Sequence, residues 1–485
     1  MIADKSDDIS HSVSDEDDDA SVARSLSPLR RRLIFSTMYL GAFVAVIAQS
    51  MVITALPAIM YQFDVDAALG QLLTTSYIFV LGLVSATTAF LINRFNSKTL
   101  FLVSMGILFV GCLGSIFAPS YEVLLASRLL QSAGAGISLP LIQVVALLIF
   151  PKQRYGFAMG LVGLIIGFGP ALGPALSGVI VDVWCWQAIF VFLAIASACV
   201  LVMGVFVQKN VTKQHAVHLD VISMVLFYVG CSLVLFVSSC MESDSPIGVQ
   251  LFVCLGIALV LMIVFVRRQL RIEEPFLKLS CFKTRTFAVS AVLVVIGQVA
   301  MMSASIMVPL YVQDVQGLSA TVSGLAITPG ALLLGVFNPI TGRLLDLYGP
   351  RKVALSGFVI LIVGTAAFLP CDGQTPAWVI TVLYGFRIIG VACVMMPLTG
   401  FACAELSQHD LPQATAIITA FRQIGSAFIV SLLITIMAHV ADNPIGVDDW
   451  GFDVSFMVQI LVLGAGLLLS FVFLPKRARR AHRER

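Results

Sequence analysis

Three arginines stand inside long apolar stretches of this chain: Arg128, Arg387 and Arg422. A guanidinium in hydrocarbon costs several kcal/mol unless it faces a cavity or a partner, so each marks a place that needs explaining. No Asp or Glu accompanies them in the central part of any apolar stretch; Glu122, Asp182, Asp220 and Glu405 fall at the ends. Other chemistry is poorly supplied. The six histidines (His11, His215, His218, His409, His439 and His482) lie in tails, loops or a helix end. His215, His218 and Asp220 are close enough in sequence to be a metal cluster, but they read as a solvated loop. No HExxH, GxSxG or GxxxxGK[ST] pattern occurs, so metal-assisted hydrolysis, acyl transfer and ATP drive have no residues to carry them. Of the ten cysteines, Cys112, Cys199, Cys231, Cys254, Cys393 and Cys403 sit in apolar runs without a CxxC pair and read as small core hydrophobes. No cofactor, no metal and no enzymatic activity are expected.

The elements that hold these arginines follow from composition. Of 485 residues 59% are hydrophobic and 12% charged, with mean hydropathy +0.99. A water-soluble globule cannot hide that much apolar surface, and a net charge of +2 supplies no basic face for nucleic acid. Fourteen apolar runs of spanning length can be counted, the first over 34–58 and the last over 454–474. With no water in the bilayer core, the backbone must satisfy itself, so the runs should be helices. The short alternating segments of a membrane β-barrel are absent. With both termini placed in the cytosol, every one of the 29 Lys and Arg except Arg128, Arg387 and Arg422 falls on the cytosolic side. That separation follows the positive-inside rule and supports fourteen spans in a multi-pass protein of the cell membrane. Eight acidic residues precede position 20, so 1–33 reads as a disordered acidic cytosolic tail. The expected layout continues with a six-helix half over 34–207, two extra helices over 208–268, a cytosolic linker over 269–285, a second six-helix half over 286–474, and a basic cytosolic tail over 475–485.

The halves echo one another. The loop Gly342-Arg343-Leu344-Leu345-Asp346-Leu347-Tyr348-Gly349-Pro350-Arg351-Lys352 after the tenth run has a weaker copy after the second, with Asn93 in place of the aspartate and Asn96 in place of a glycine. Arg128 is followed by Pro140 in the fourth run, and Arg387 by Pro397 in the twelfth. Both echoes pair run n with run n+8, which leaves runs seven and eight as insertions between parallel half-repeats.

On these residues the chain resembles the major facilitator superfamily, in its fourteen-helix drug:proton antiporter branch, and within it the bacterial lincomycin-resistance-type exporters. The resemblance covers roughly 34–475. Its most specific part is in the fifth run, where Gly163 and Gly167 lead into Gly169-Pro170-Ala171-Leu172-Gly173-Pro174-Ala175-Leu176-Ser177-Gly178, similar to the antiporter motif with Ser177 at one glycine position. Glycines let another helix approach and the prolines remove backbone hydrogen bonds, so this run can act as a hinge. The loop Gly342, Arg343, Asp346, Gly349, Arg351 and Lys352 resembles the superfamily's cytosolic loop motif, where Asp346 and Arg343 can pair with charges or helix ends and latch one state. Arg128, with Gln131, resembles the fourth-helix motif whose arginine the family links to proton coupling. Arg387 is a weaker match, open to a functional or a structural role, and Arg422-Gln423 fits the thirteenth-helix pattern with a structural role between the halves.

The resemblance implies an all-α polytopic fold and transport by alternating access, exporting hydrophobic or amphipathic compounds, with proton antiport. The first run departs from it. Ala55-Leu56-Pro57 is present, but Ala48 and Gln49 stand where an acid is usual. Either Glu122 or Asp182 serves from the outer end, or proton coupling is weak or absent, and a lipid or metabolite carrier without proton exchange is the other reading. The substrate path is expected along Gln49, Ser50, Thr54, Tyr77, Gln143, Gln298, Met301, Met302, Ser303 and Asn338, with Met395 and Met396 adding polarizable surface. Without a mid-membrane carboxylate the pocket should favour neutral, anionic or zwitterionic amphipaths. The expected partners are a lipophilic small molecule, membrane lipids and, if coupled, the proton, acting on a monomer.

Overall fold

The computed structural model describes residues 26–475 except 66, 213, 215–217, 243–248, 273, 319 and 441–448. The acidic tail up to residue 25, the basic tail from residue 476 and His215 lie outside the described residues. The described regular structure is helical throughout. Its α-helices are α1 (Pro28–Phe63), α2 (Ala67–Arg94), α3 (Ser97–Ile116), α4 (Tyr121–Ile149), α5 (Tyr155–Val183), α6 (Gln187–Val207) and α7 (Val221–Glu242). They continue with α8 (Val249–Gln269), α9 (Arg285–Leu310), α10 (Ala320–Tyr348), α11 (Pro350–Ala366), α12 (Ala377–Ala404), α13 (Leu411–Val440) and α14 (Asp449–Phe473). Among the described residues ten of these helices are long and apolar enough to cross a membrane.

Local chemistry sets the ends. α1 starts at Pro28, ahead of the apolar run, because Ser27 caps it by accepting the Arg30 N–H at 3.4 Å and Pro28 suits a first helical position. Gly349 turns α10 into α11 with φ +89°, a conformation open to glycine, and Pro350 opens the next helix. A π-helical turn, Tyr311–Val315, follows Pro309, whose missing N–H breaks the ladder of α9.

The chain divides into two compact units. The first takes the described residues of Met1–Lys152, Leu172–Leu219 and Cys403–Ala420. In it α4 is packed by α1, α2 and α3 and is buried along most of its length, which makes it the central helix. Close packing is achieved with small residues. A Cβ on Gly134 would meet the Ser104 carbonyl at 2.6 Å, and Ser85 and Thr88 both donate to the Gly136 carbonyl, at 3.2 and 3.1 Å. The α6 helix is buried on one side only, and Phe192, Ile195, Val202 and Phe206 turn outward, as a helix in hydrocarbon presents them.

The second unit takes the described residues of Gln153–Ala171, Asp220–Ala402 and Phe421–Arg485. Here α7 packs on α8, α9 on α10 and α14, and α11 on α10 and α14. Arg285 and Arg351 lie over the rings of Phe473 and Phe471, at 4.6 and 4.4 Å, and fix the end of α14. Arg268 at the end of α8 grips Asp220, just before α7, through Nη2 at 3.0 Å and Nε at 3.1 Å. The α5 helix contributes its residues through Ala171 to the second unit and those from Leu172 to the first.

Candidate functional site

In the first unit Arg128 is fully buried on α4. Its Nη1 donates to the Ala48 carbonyl at 3.1 Å and to Gln131 Oε1 at 2.8 Å. One helical turn separates Arg128 from Gln131, so the two side chains share a face. Gln131 in turn donates to the Gly111 carbonyl at 3.0 Å and to Ser115 at 2.8 Å, which fixes its amide. The guanidinium lies over the Tyr77 ring at 4.2 Å, while Tyr77 donates its hydroxyl to the Ala45 carbonyl at 3.2 Å. Nε and Nη2 of Arg128 are buried without a hydrogen-bond partner among the described residues. A guanidinium held by carbonyl, amide and ring faces, with no carboxylate bonded to it among the described residues, has no opposite charge in contact to offset its burial.

Arg387 repeats the plan in the second unit. It is fully buried, with Nε donating to Thr365 at 2.8 Å and Nη2 to Gln459 Oε1 at 2.6 Å. Ser303 donates to the same Oε1 at 2.8 Å. Gln459 was not singled out by sequence; its only signal was an amide in the last apolar run. Arg422 donates through Nη1 to Gln298 Oε1 at 3.0 Å and to the Met395 sulfur at 3.8 Å, and Gln298 donates to Gln423 Oε1 at 3.5 Å.

The motif helix α5 uses its two parts differently. Before Ala171, Gly156, Gly160, Gly163 and Gly167 lie along one face against α10. A Cβ on Gly160 would meet the Asn338 carbonyl at 2.5 Å, and one on Gly167 would overlap the Gly335 backbone. Asn338 donates to the Gly163 carbonyl at 2.8 Å across this contact. From Leu172 onward the neighbour is α1: Gly173 faces Ser50, and Ser177 makes a short hydroxyl contact with Thr54. Ser177, at a glycine position of the motif, thus adds a hydrogen bond to the α1–α5 contact. Gly169 is buried, Pro170 exposed and Pro174 half-buried, while Gly178 faces open space.

The loop motif is built around α5. Asp346 accepts the Gly156 and Phe157 N–H groups at 3.0 and 2.9 Å, and Gly342 lies against the Gly156 carbonyl with no room for a side chain. Arg343 is exposed and sits 5.9 Å from the Phe157 ring; Lys352 is exposed. In the first-half copy Asn93 is buried, and Asn96 stands at the start of α3 without a side-chain capping bond.

The remaining candidates are spread through both units. Gln49 is half-buried, and Gln143 is buried and accepts the Thr419 hydroxyl at 3.4 Å. Met301, Met395 and Met396 are buried and Met302 half-buried. Glu122 is exposed in the first turn of α4, and Asp182 is exposed at the end of α5.

Polar groups buried in long apolar helices mark candidate functional positions of a membrane protein. The chain belongs to the Major Facilitator Superfamily, whose family model matches residues 38–430. It is 35% identical to the MFS-type transporter YcnB of Bacillus subtilis (strain 168) over 94% of this chain and 98% of that one. It is 31% identical to the lincomycin resistance protein LmrB of the same organism, over 91% of this chain and 92% of the relative. The crystal structure of the human organic anion transporter MFSD10 (TETRAN) shares the fold, with TM-score 0.64, 13% identity, and coverage of 92% and 100%.

Proposed function

We propose that this transporter exports hydrophobic or amphipathic compounds by alternating access, through fourteen transmembrane helices with both termini in the cytosol. Two six-helix halves, 34–207 and 286–474, flank the extra pair in 208–268. The observation that carries the reading is the likeness to a lincomycin resistance protein along more than nine-tenths of both chains. The geometry supports it. The α5 helix packs on α10 through glycines before Ala171 and on α1 after Leu172, with Pro170 and Pro174 where backbone hydrogen bonds are missing. Such a helix can bend between two states while its packed faces stay intact. The path candidates Gln49, Ser50, Thr54, Tyr77, Gln143, Gln298, Met301, Met302, Ser303 and Asn338 are its proposed lining. Accumulation of lipophilic compounds in cells lacking other exporters tests the reading: expression should lower accumulation, and unchanged accumulation of every compound sinks it.

A second reading is a carrier that does not exchange protons. It is favoured by Ala48 and Gln49 in α1 and by three buried arginines bonded only to carbonyl, amide, hydroxyl and thioether groups among the described residues. Proteoliposomes with and without a pH gradient separate the two. Loss of transport on collapsing the gradient, retained with Glu122→Gln and Asp182→Asn combined, would leave neither acid as the coupling group.

A further inference from the structure

Arg422 differs from the other two buried arginines. Arg128 and Arg387 are sealed, at 0% exposure, whereas Arg422 keeps 4%. Both sealed arginines have buried nitrogens without partners among the described residues, and Arg422 has none of that kind. Its Nη1 is taken by Gln298 and Met395, both in its own unit; no described group accepts from its Nε or Nη2. That leaves the Nε/Nη2 edge without an acceptor among the described residues, on a side chain that keeps 4% exposure.

Two further features shape this place. Gln298 spends its carbonyl on Arg422 and its amide on Gln423, so the guanidinium is oriented from one side. Met395 supplies polarizable apolar surface beside the charge. The described groups that hold Arg422 are all neutral, so none of them offsets a desolvated positive charge. The free edge presents two parallel N–H donors, the fork that matches a carboxylate.

We propose that Arg422, oriented by Gln298 and Gln423, is the headgroup site for a carboxylate-bearing amphipath, so that the transporter prefers anionic over matched neutral compounds. The proposal rests on the transport reading and names its substrate class. The ligand's carboxylate accepts from Nε and Nη2 while its apolar body lies against the methionine surface. A tie between helices would need neither the free edge nor any preference for charge.

The test uses a dansyl-labelled aliphatic carboxylate and its uncharged methyl amide, measured by fluorescence polarisation on the purified full chain and by uptake into proteoliposomes. Wild-type protein should favour the carboxylate, and Arg422→Gln should lower the carboxylate-to-amide ratio about tenfold or more in both assays. Arg422→Lys, which keeps the charge and loses the fork, should fall between. A ratio unchanged in a folded Arg422→Gln protein overturns the site while leaving export of amphipaths intact. Should Arg422→Gln not fold, Arg422→Lys decides: an unchanged ratio overturns the site. Wild-type protein that binds and moves neither compound overturns both the site and the transport reading on which it stands.

Discussion

Asp346 of α10 caps α5: its two carboxylate oxygens accept the Gly156 and Phe157 N–H groups at 3.0 and 2.9 Å. Those N–H groups are among the donors a helix leaves unpaired at its start, and the helix dipole adds attraction for a negative charge there. The cap comes from another helix, so it ties α10 to the motif-bearing helix. Asp346→Ala should cost about 1–2 kcal/mol, and Asp346→Asn less because its amide oxygen still accepts one bond. Melting temperatures in detergent check the order wild type, Asn, Ala; three equal values would discard the cap.

The glycine contacts should respond by position rather than by residue type. Gly167→Ala sets a Cβ against the Gly335 backbone, and Gly342→Ala sets one against the Gly156 carbonyl. Backbone cannot step aside as a flexible side chain can, so each should cost about 1–3 kcal/mol. Gly178→Ala meets nothing and should change stability by less than about 0.5 kcal/mol. Thermal unfolding of the three variants tests this, and an equally damaging Gly178→Ala would refute the packing account.

At Arg128 the partners should matter in proportion to what they leave stranded. Gln131→Leu removes the Arg128 acceptor at 2.8 Å and the donor to Ser115, while the Gly111 carbonyl keeps the Ser115 hydroxyl at 3.1 Å, so a loss of about 2–3 kcal/mol is expected. Tyr77→Phe keeps the ring under the guanidinium and forfeits one hydroxyl bond, about 1 kcal/mol, whereas Tyr77→Leu forfeits both. Unfolding in detergent measures the series, and a Tyr77→Phe loss as large as that of Tyr77→Leu would remove the ring from the explanation.

The Asp220–Arg268 pair gives a pH dependence. Partial desolvation raises the Asp220 carboxyl, but hydrogen bonds from Arg268 and Ser223 outweigh it and hold the group below its ordinary value. A carboxyl depressed on folding stabilises above its unfolded pKa, and that stability fades as pH falls through the lowered value. Half-exposed ion pairs are worth at most about 1 kcal/mol, so Asp220→Asn should lower the melting temperature by about 1–3 °C at pH 7. The deficit should close in strongly acidic buffer; a deficit that persists there contradicts the linkage.

Much of the fold was legible in the residue string because transfer into hydrocarbon is close to additive along a segment. Long apolar runs had to be helices, and Gly349 and Pro350 had to turn the chain between two of them. The Gly/Pro run and the Asp346 loop stood out because few residue types permit close backbone approach or an acid beside a membrane. The helices around Gln459 and Thr365 gave no such mark, since an isolated amide or hydroxyl in an apolar run has many harmless uses.

By itself, then, the sequence determined that the chain is helical and membrane-borne, with buried arginines lacking acids in the same runs. Only the tertiary structure decided what those residues touch: Asp346 on the α5 N-terminus, Gln459 between Arg387 and Ser303, Ser177 against Thr54, and Arg422 on Gln298 and Met395. The reason is register. Burial sums residue by residue, whereas a hydrogen bond between helices depends on how two packed surfaces slide and rotate against each other, and that is fixed by the fit of all their side chains together.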